Sequence, residues 1–417
     1  MSGRRYSGRH YRRRRSPVPA ILLLIVAAAL VLGALAIFTD VFKKDKPADR
    51  ADGPAVIQPD DTQKPDDARQ PSGGADGQDG QTGGDTQQPD NSGSQTGSKT
   101  LDTITTDATP YQSGGVYIVG DTGFEMYNYV DSLAKNSGEI VTSVAAQLSG
   151  TSTVYALAVP LSSGITLPDA LYSDIPGSDQ AQAEKNILAA MGENVKTVPL
   201  HDVMMSHRGE YIYFRTDHHW TQLGAYYAYT AFCEAAGFDA VPLEQFQTGR
   251  YDTFLGSMYT FTKGYPQSDV LKQHPDYLDY YLPIADTHAR YYADGSLENG
   301  TPVSVVYTQL DESVSNKYLC FIGGDTPVCI VESDVQGPTC IVLKESYGNA
   351  FVPFLTSHYG RIIVIDPREF NQEGKPTLDL AAFAADQGVD DLIVINYPYM
   401  INSKAFVRYL NALAGVK

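Results

Sequence analysis

Three short runs near the C-terminal end constrain the fold most: Thr339–Leu343 (TCIVL), Arg361–Ile365 (RIIVI) and Leu392–Asn396 (LIVIN). Each is almost wholly apolar or β-branched, with no polar alternation. Each gives way to polar or glycine-containing sequence and then to helix-compatible sequence. A strand with one wet face alternates, whereas a continuous apolar run needs cover on both faces. That is the situation of a parallel sheet with helices on either side. Earlier segments fit the same scheme. Gly115–Val119, Val154–Val159 and Val195–Leu200 read as strands, and Phe124–Asn136 and Asp179–Met191 as helices. Gln222–Ala236 also reads as a helix, with Thr221 as its N-cap and Gly237 at its stop. The expected class is α/β, a parallel sheet flanked by helices, and no internal repeat is visible.

That domain does not fill the 417 residues. Residues 39–100, above all from Lys46 onward, are Asp, Gln, Gly, Pro, Ser and Thr with almost no large apolar side chain. Such a stretch cannot offset the entropy of ordering and reads as a disordered acidic linker. Before it, Ser16–Thr39 carries no charge, and Val18–Phe38 supplies 21 residues for a hydrocarbon core of roughly 30 Å. Seven arginines lie within the first fifteen residues. The positive-inside rule then places residues 1–17 in the cytoplasm and everything after residue 38 outside. The run is longer than the apolar core of a cleaved signal and lacks its small-residue site, so an uncleaved anchor is expected. The globular domain is residues 101–417.

The formal net charge is −18 with the basic residues crowded at the start, so the body is acidic, which argues against a nucleic-acid partner. Four cysteines, Cys233, Cys320, Cys329 and Cys340, are too few for a disulfide scaffold and form no C-x-x-C. Buried free thiols are the favoured reading, with a Cys320–Cys329 bridge between neighbouring strands the alternative. Residues 248–315 stand apart as a Tyr-rich insert (YDTFLGSMYTFTKGYPQ and YLDYYLPIADTHARYYADG). Its aromatics either stack on sugar rings or pack on their own domain.

The densest chemical signal is Tyr213-Phe-Arg-Thr-Asp217-His218-His219-Trp220-Thr-Gln-Leu-Gly224, with the chain's single tryptophan. In an extended segment, residues two apart share a side. Asp217 and His219 would then face together, the arrangement in which a carboxylate orients an imidazole base. A nucleophile is offered by Ser346 in Ile341-Val-Leu-Lys-Glu-Ser346-Tyr347-Gly-Asn349-Ala-Phe351, where an apolar strand ends in a turn. N–H groups at such a turn can hold a developing oxyanion. A plain N-cap serine fits this sequence too. A metal site on Asp217, His218 and His219 with His201 or His207 is disfavoured, because adjacent histidines of an extended segment point apart. No metal or cofactor is expected.

Taken together, Thr216–Thr221 with Leu223-Gly224, and the block Leu343–Phe354, resemble the DHHW protein family of Gram-positive bacteria. Glu345 replaces that family's usual Asp, and Gly348 stands at its variable position. The resemblance implies similarity to SGNH hydrolases, a flavodoxin-like α/β fold, and to the permuted branch that includes alginate O-acetyltransferases. It implies Asp217, His219 and Ser346 as a catalytic triad, supported by His218, Trp220 and Tyr347. It also implies Asn396, Asn349 or Arg368 at the oxyanion or substrate. The implied function is esterase or O-acyltransferase action on acetyl esters of a cell-envelope polysaccharide, with a membrane-bound O-acyltransferase as donor partner. The alternative is a catalytically degenerate glycan-binding or envelope-assembly protein.

Overall fold

The β-branched runs form strands where expected, in a computed structural model that describes residues 108–415. The expected cytoplasmic tail, membrane span and linker lie outside those residues. Among the described residues, no helix is long and apolar enough to cross a membrane. The described chain opens with an antiparallel meander of β1 (Tyr111–Ser113), β2 (Val116–Val119) and β3 (Thr122–Glu125). Next come β4 (Thr153–Ala158), β5 (Val195–Val198) and an antiparallel ribbon of β6 (Thr248–Phe254) and β7 (Asp276–Tyr281). The remaining strands are β8 (Thr287–Tyr292), β9 (Thr301–Val303), β10 (Val328–Ser333), β11 (Thr339–Lys344), β12 (Arg361–Ile365) and β13 (Asp391–Asn396).

The main sheet has eight strands in the order β5-β4-β13-β11-β12-β10-β8-β9. The first five run parallel, and the last three are added antiparallel. The expectation of a parallel, flavodoxin-like sheet is therefore corrected twice. The sheet is mixed, and its parallel part follows the chain order 2-1-5-3-4 rather than the flavodoxin-like 2-1-3-4-5. The C-terminal strand β13 is inserted between β4 and β11. The antiparallel half comes largely from the stretch read as an insert. β8 and β9 are close enough in sequence to pair antiparallel without a crossover helix, and the alternating polar residues of β8, the strand next to the edge strand β9, suit a sheet with one face toward water.

Side chains alternate between two apolar layers. Leu157, Val331, Cys340, Val342, Ile362, Val364, Ile393 and Ile395 pack on one face with Phe232 of the helix Gln222–Ala236 and with Phe351 and Phe354. Val154, Ile330, Ile341, Leu343, Ile363, Ile365, Leu392 and Val394 pack on the other with the helices Asp131–Gln147 and Lys404–Ala414. Burying each such side chain contributes about 1.5–3 kcal/mol. The helix expected over Phe124–Asn136 begins only at Asp131. Phe124 is taken instead by the β2–β3 ladder, where it pairs with Tyr117. Thr221 caps the helix Gln222–Ala236, and Gly237, at φ 81°, ends it as expected. Tyr251, Tyr277, Tyr280 and Tyr281 of the Tyr-rich stretch pack on the first apolar layer. All four cysteines are buried free thiols.

Candidate active site

Strand β11 ends at Lys344, and Ser346 opens a short 3-10 turn, Ser346–Ala350. Glu345 shapes this junction. Its Oε2 accepts the Tyr347 N–H at 3.0 Å, and its Oε1 accepts the Tyr397 N–H at 3.1 Å, just past the end of β13. One carboxylate thus ties the carboxyl ends of two adjacent parallel strands together beside Ser346. Burial pushes this carboxyl up to about 7, against the pull of the two N–H donors and of Arg368.

The Asp-His-His-Trp segment is the bend of a hairpin, where an extended segment was expected. Tyr213 pairs antiparallel with Trp220, and the Phe214 N–H donates to the His219 carbonyl at 3.3 Å. Asp217 Oδ1 accepts both the His219 backbone N–H, at 2.9 Å, and its Nδ1, at 2.6 Å. A carboxylate bonding the N–H two residues on is an Asx turn, which competes well with regular structure. The pair expected from strand alternation is therefore formed by turn chemistry. His219 Nε2 lies 2.7 Å from Ser346 Oγ.

The protons on this row follow from the charge of Asp217. Burial opposes its ionisation, but the facing His219, its hydrogen bond, His218 and the Ser257 N–H outweigh that and hold it well below the ordinary carboxylate range. An ionised carboxylate only accepts, so Nδ1 carries the proton and Nε2 is left to accept from the serine hydroxyl. Glu345 Oε2 is a weaker competing acceptor, 3.3 Å from Oγ.

Other residues fix the row. Ser257 donates its N–H to Asp217 Oδ2 at 2.8 Å, and its hydroxyl bonds His218 Nδ1 at 2.5 Å. A Cβ on Gly256 would stand 2.2 Å from the Asp217 Cβ, so only glycine lets this backbone approach. Tyr318 stacks on the His219 ring, with centroids 3.9 Å apart and planes within 9°. Trp220 Nε1 donates to the Tyr347 carbonyl at 2.9 Å, and the Tyr347 hydroxyl donates to the His218 carbonyl. These two bonds clamp the hairpin to the serine turn. Beneath them, Asp276 accepts the Thr216 N–H at 2.7 Å and its hydroxyl at 2.6 Å. Ser257, Gly256, Asp276 and Tyr318 were missed in the sequence, where nothing local marks them.

The three oxyanion candidates lie in different settings. Asn396 ends β13, in register one strand over from the serine turn, and its buried Nδ2 has no hydrogen-bond partner. Asn349 directs Nδ2 to Asp325 Oδ1 at 3.1 Å. Arg368 is buried in an ion cluster, with Nη2 at 2.5 Å from Asp325 and 2.6 Å from Asp366, and Lys344 reaches the same Asp325 at 2.7 Å. Its guanidinium is thus engaged by two carboxylates, and its charge also acts on Glu345, next to Ser346.

The histidine rings do not point apart as an extended segment would have required. Their centroids are 3.8 Å apart, and ligand atoms of Asp217, His218 and His219 all lie within 4.8 Å of one another. Neither His201 nor His207 joins that group. Both His219 nitrogens are already hydrogen-bonded, so a metal there would have to displace Asp217 or Ser346.

No curated protein sequence matches the chain. Among solved structures, a DHHW family protein from Eubacterium siraeum is 27% identical, with TM-score 0.63, and the match covers 72% of this chain and 96% of that one. Bacillus cereus PatB1, solved with a sulfonyl adduct, is 15% identical with TM-score 0.57, covering 72% of this chain and 98% of the other. The latter shows a shared α/β fold. The family described as DHHW protein matches residues 84–365, a span that takes in the hairpin, its buttresses and the serine turn. With its Asp-His-His-Trp hairpin clamped to that turn, the chain belongs to the DHHW protein family.

Proposed function

We propose that the domain is a serine-dependent esterase or O-acyltransferase acting on acetyl esters of a polysaccharide. The observation that carries this reading is the unbroken row from Asp217 through His219 to Ser346, with contacts of 2.6 and 2.7 Å. His219 Nε2 takes the Ser346 proton as Oγ attacks the acetyl carbonyl. Asp217 stabilises the imidazolium that results. The buried Nδ2 of Asn396 is the donor for the oxyanion. Collapse of the tetrahedral intermediate expels the sugar oxygen, which takes the proton back from His219 and leaves acetyl-Ser346. Water then regenerates the enzyme as an esterase, or a sugar hydroxyl as a transferase, with His219 again removing the proton.

The apolar run 18–38 and its arginine flank support an outward-facing, membrane-tethered placement, where the polymer is a cell-envelope polysaccharide. A membrane-bound O-acyltransferase is the partner that would deliver the acyl group there. The test is turnover of 4-nitrophenyl acetate by the purified full-length chain, with and without oligosaccharide, together with labelling by a sulfonyl fluoride. Ser346→Ala is expected to abolish both. Equal turnover by the folded variant would sink the reading.

A further inference from the structure

At the same end of the sheet as the serine turn lies a cavity of about 550 Å³ that the chemistry above does not use. It opens past the carboxyl end of β4. Its walls are Glu125 of β3 with Met126 and Tyr127, the turns from Ser163 to Asp179, and the start of the helix Gln180–Ala189. Ligands in open α/β sheets bind beyond the carboxyl ends of the strands. The volume falls within the roughly 300–1,000 Å³ usual for small-molecule sites. Only β13 separates β4 from β11, so the end of β4 stands two strand spacings, about 10 Å, from the strand that carries Ser346. Glu125 joins the two places. It lines the cavity, and after burial itself its charge is the largest influence raising the phenols of Tyr347 and Tyr397. Those tyrosines directly follow Ser346 and Asn396.

The lining has a definite chemistry. Tyr172 is 41% exposed, and its ring, with Tyr127, Met126 and Met205, supplies flat apolar surface. Glu125, Asp169 and Asp179 supply carboxylate acceptors; Asp169 also pairs with Arg208 at 2.9 Å, and Asp179 accepts the Gln182 N–H at 3.0 Å as the cap of its helix. Hydroxyls that donate to carboxylates, on a ring with an apolar face, match such a surface. An anionic ring would meet like charge. We infer that the cavity is a saccharide subsite seating an uncharged pyranose of the polymer, next to the residue that is acetylated or deacetylated at Ser346. Its link to Ser346 rests on the function proposed above, whereas saccharide binding in the cavity does not.

The test uses the full-length chain, with chitotetraose as the uncharged probe and tetragalacturonate as the anionic one, both by calorimetry. Tyr172→Ala removes the exposed ring, and Ala181→Trp fills the cavity from the first turn of its helix. Turnover of 4-nitrophenyl acetate is followed in parallel as a report on Ser346 alone. Both variants are expected to weaken chitotetraose by about tenfold or more while leaving ester turnover within about twofold. Tetragalacturonate is expected to bind wild type about tenfold more weakly than chitotetraose. No chitotetraose binding by wild type, wild-type affinity in both variants, or equal binding of the two probes would each overturn the inference. Chitotetraose binding that depends on Tyr172, in a chain without esterase turnover, would support the subsite and reject the serine mechanism.

Discussion

Asn396 carries a cost that the native fold does not recover. Its Nδ2 is buried without a partner, and an unsatisfied buried donor is unfavourable by about 1–3 kcal/mol. A fold retains such a group when something transient uses it, and the position of Asn396 beside the serine turn names the user. Asn396→Ala should therefore lower kcat for acetyl ester by about 100- to 1,000-fold with little change in KM. The melting temperature should hold or rise. Steady-state kinetics and thermal melting of the same preparation decide it, and a fall in stability with kcat unchanged would make Asn396 a structural residue. Arg368 and Asn349 contrast with it at this scale. Both are engaged with Asp325, a residue 24 positions before Asn349. The sequence marks three polar residues near strand ends but holds no local sign of which one a distant carboxylate will claim.

At the level of elements, what was legible depended on whether the signal was local. β11, β12 and β13 announced themselves because a strand covered on both faces has nowhere to place a polar residue. Ser346 could be placed at a strand-to-turn junction for the same reason. The antiparallel half was not legible, since β8 and β10 pair with partners that no periodicity identifies. The hairpin was misread as extended because its bend is stabilised by a side chain, Asp217, bonding the backbone at His219. The helix after it was legible from its caps, and those caps serve the site. Thr221 immediately follows the motif. Its hydroxyl accepts the Gly224 N–H at 3.3 Å and donates to the Tyr211 carbonyl at 2.7 Å, fastening the helix start to the other arm of the hairpin. Thr221→Ala should cost about 1–2 kcal/mol. It should also lower kcat, by releasing Trp220 and His219 from their register, while Thr221→Ser should restore both. Chemical denaturation alongside ester turnover checks this; stability lost at constant kcat would confine Thr221 to capping.

For the molecule as a whole, the carboxyl edge of the parallel strands concentrates buried charge, and that charge sets how stability answers to pH. Asp325 and Asp366 are matched by Lys344 and Arg368, which leaves Glu345 as the acid without a salt bridge, stabilised by N–H donors. Its carboxyl is raised from 4.5 to about 7, chiefly by burial. A raised acid binds its proton more tightly folded than unfolded. Its contribution is therefore full below about 4.5, declines as pH rises, and is gone above about 7. A displacement of that size is on the order of 3 kcal/mol. Asp217 has the opposite sign. Its carboxyl is depressed, so its contribution is present at neutral pH and is lost only in strong acid. The two therefore act in separate windows. Glu345→Gln removes the titration but keeps only one of the two acceptor oxygens, so it should start less stable than wild type near pH 4.5 and gain on it steadily as pH rises to 8. Denaturant melts of both proteins at half-unit steps between those limits measure the difference directly. Curves that stay parallel across the window would mean that Glu345 is ionised throughout, held by Tyr347, Tyr397 and the neighbouring cations more strongly than burial opposes it.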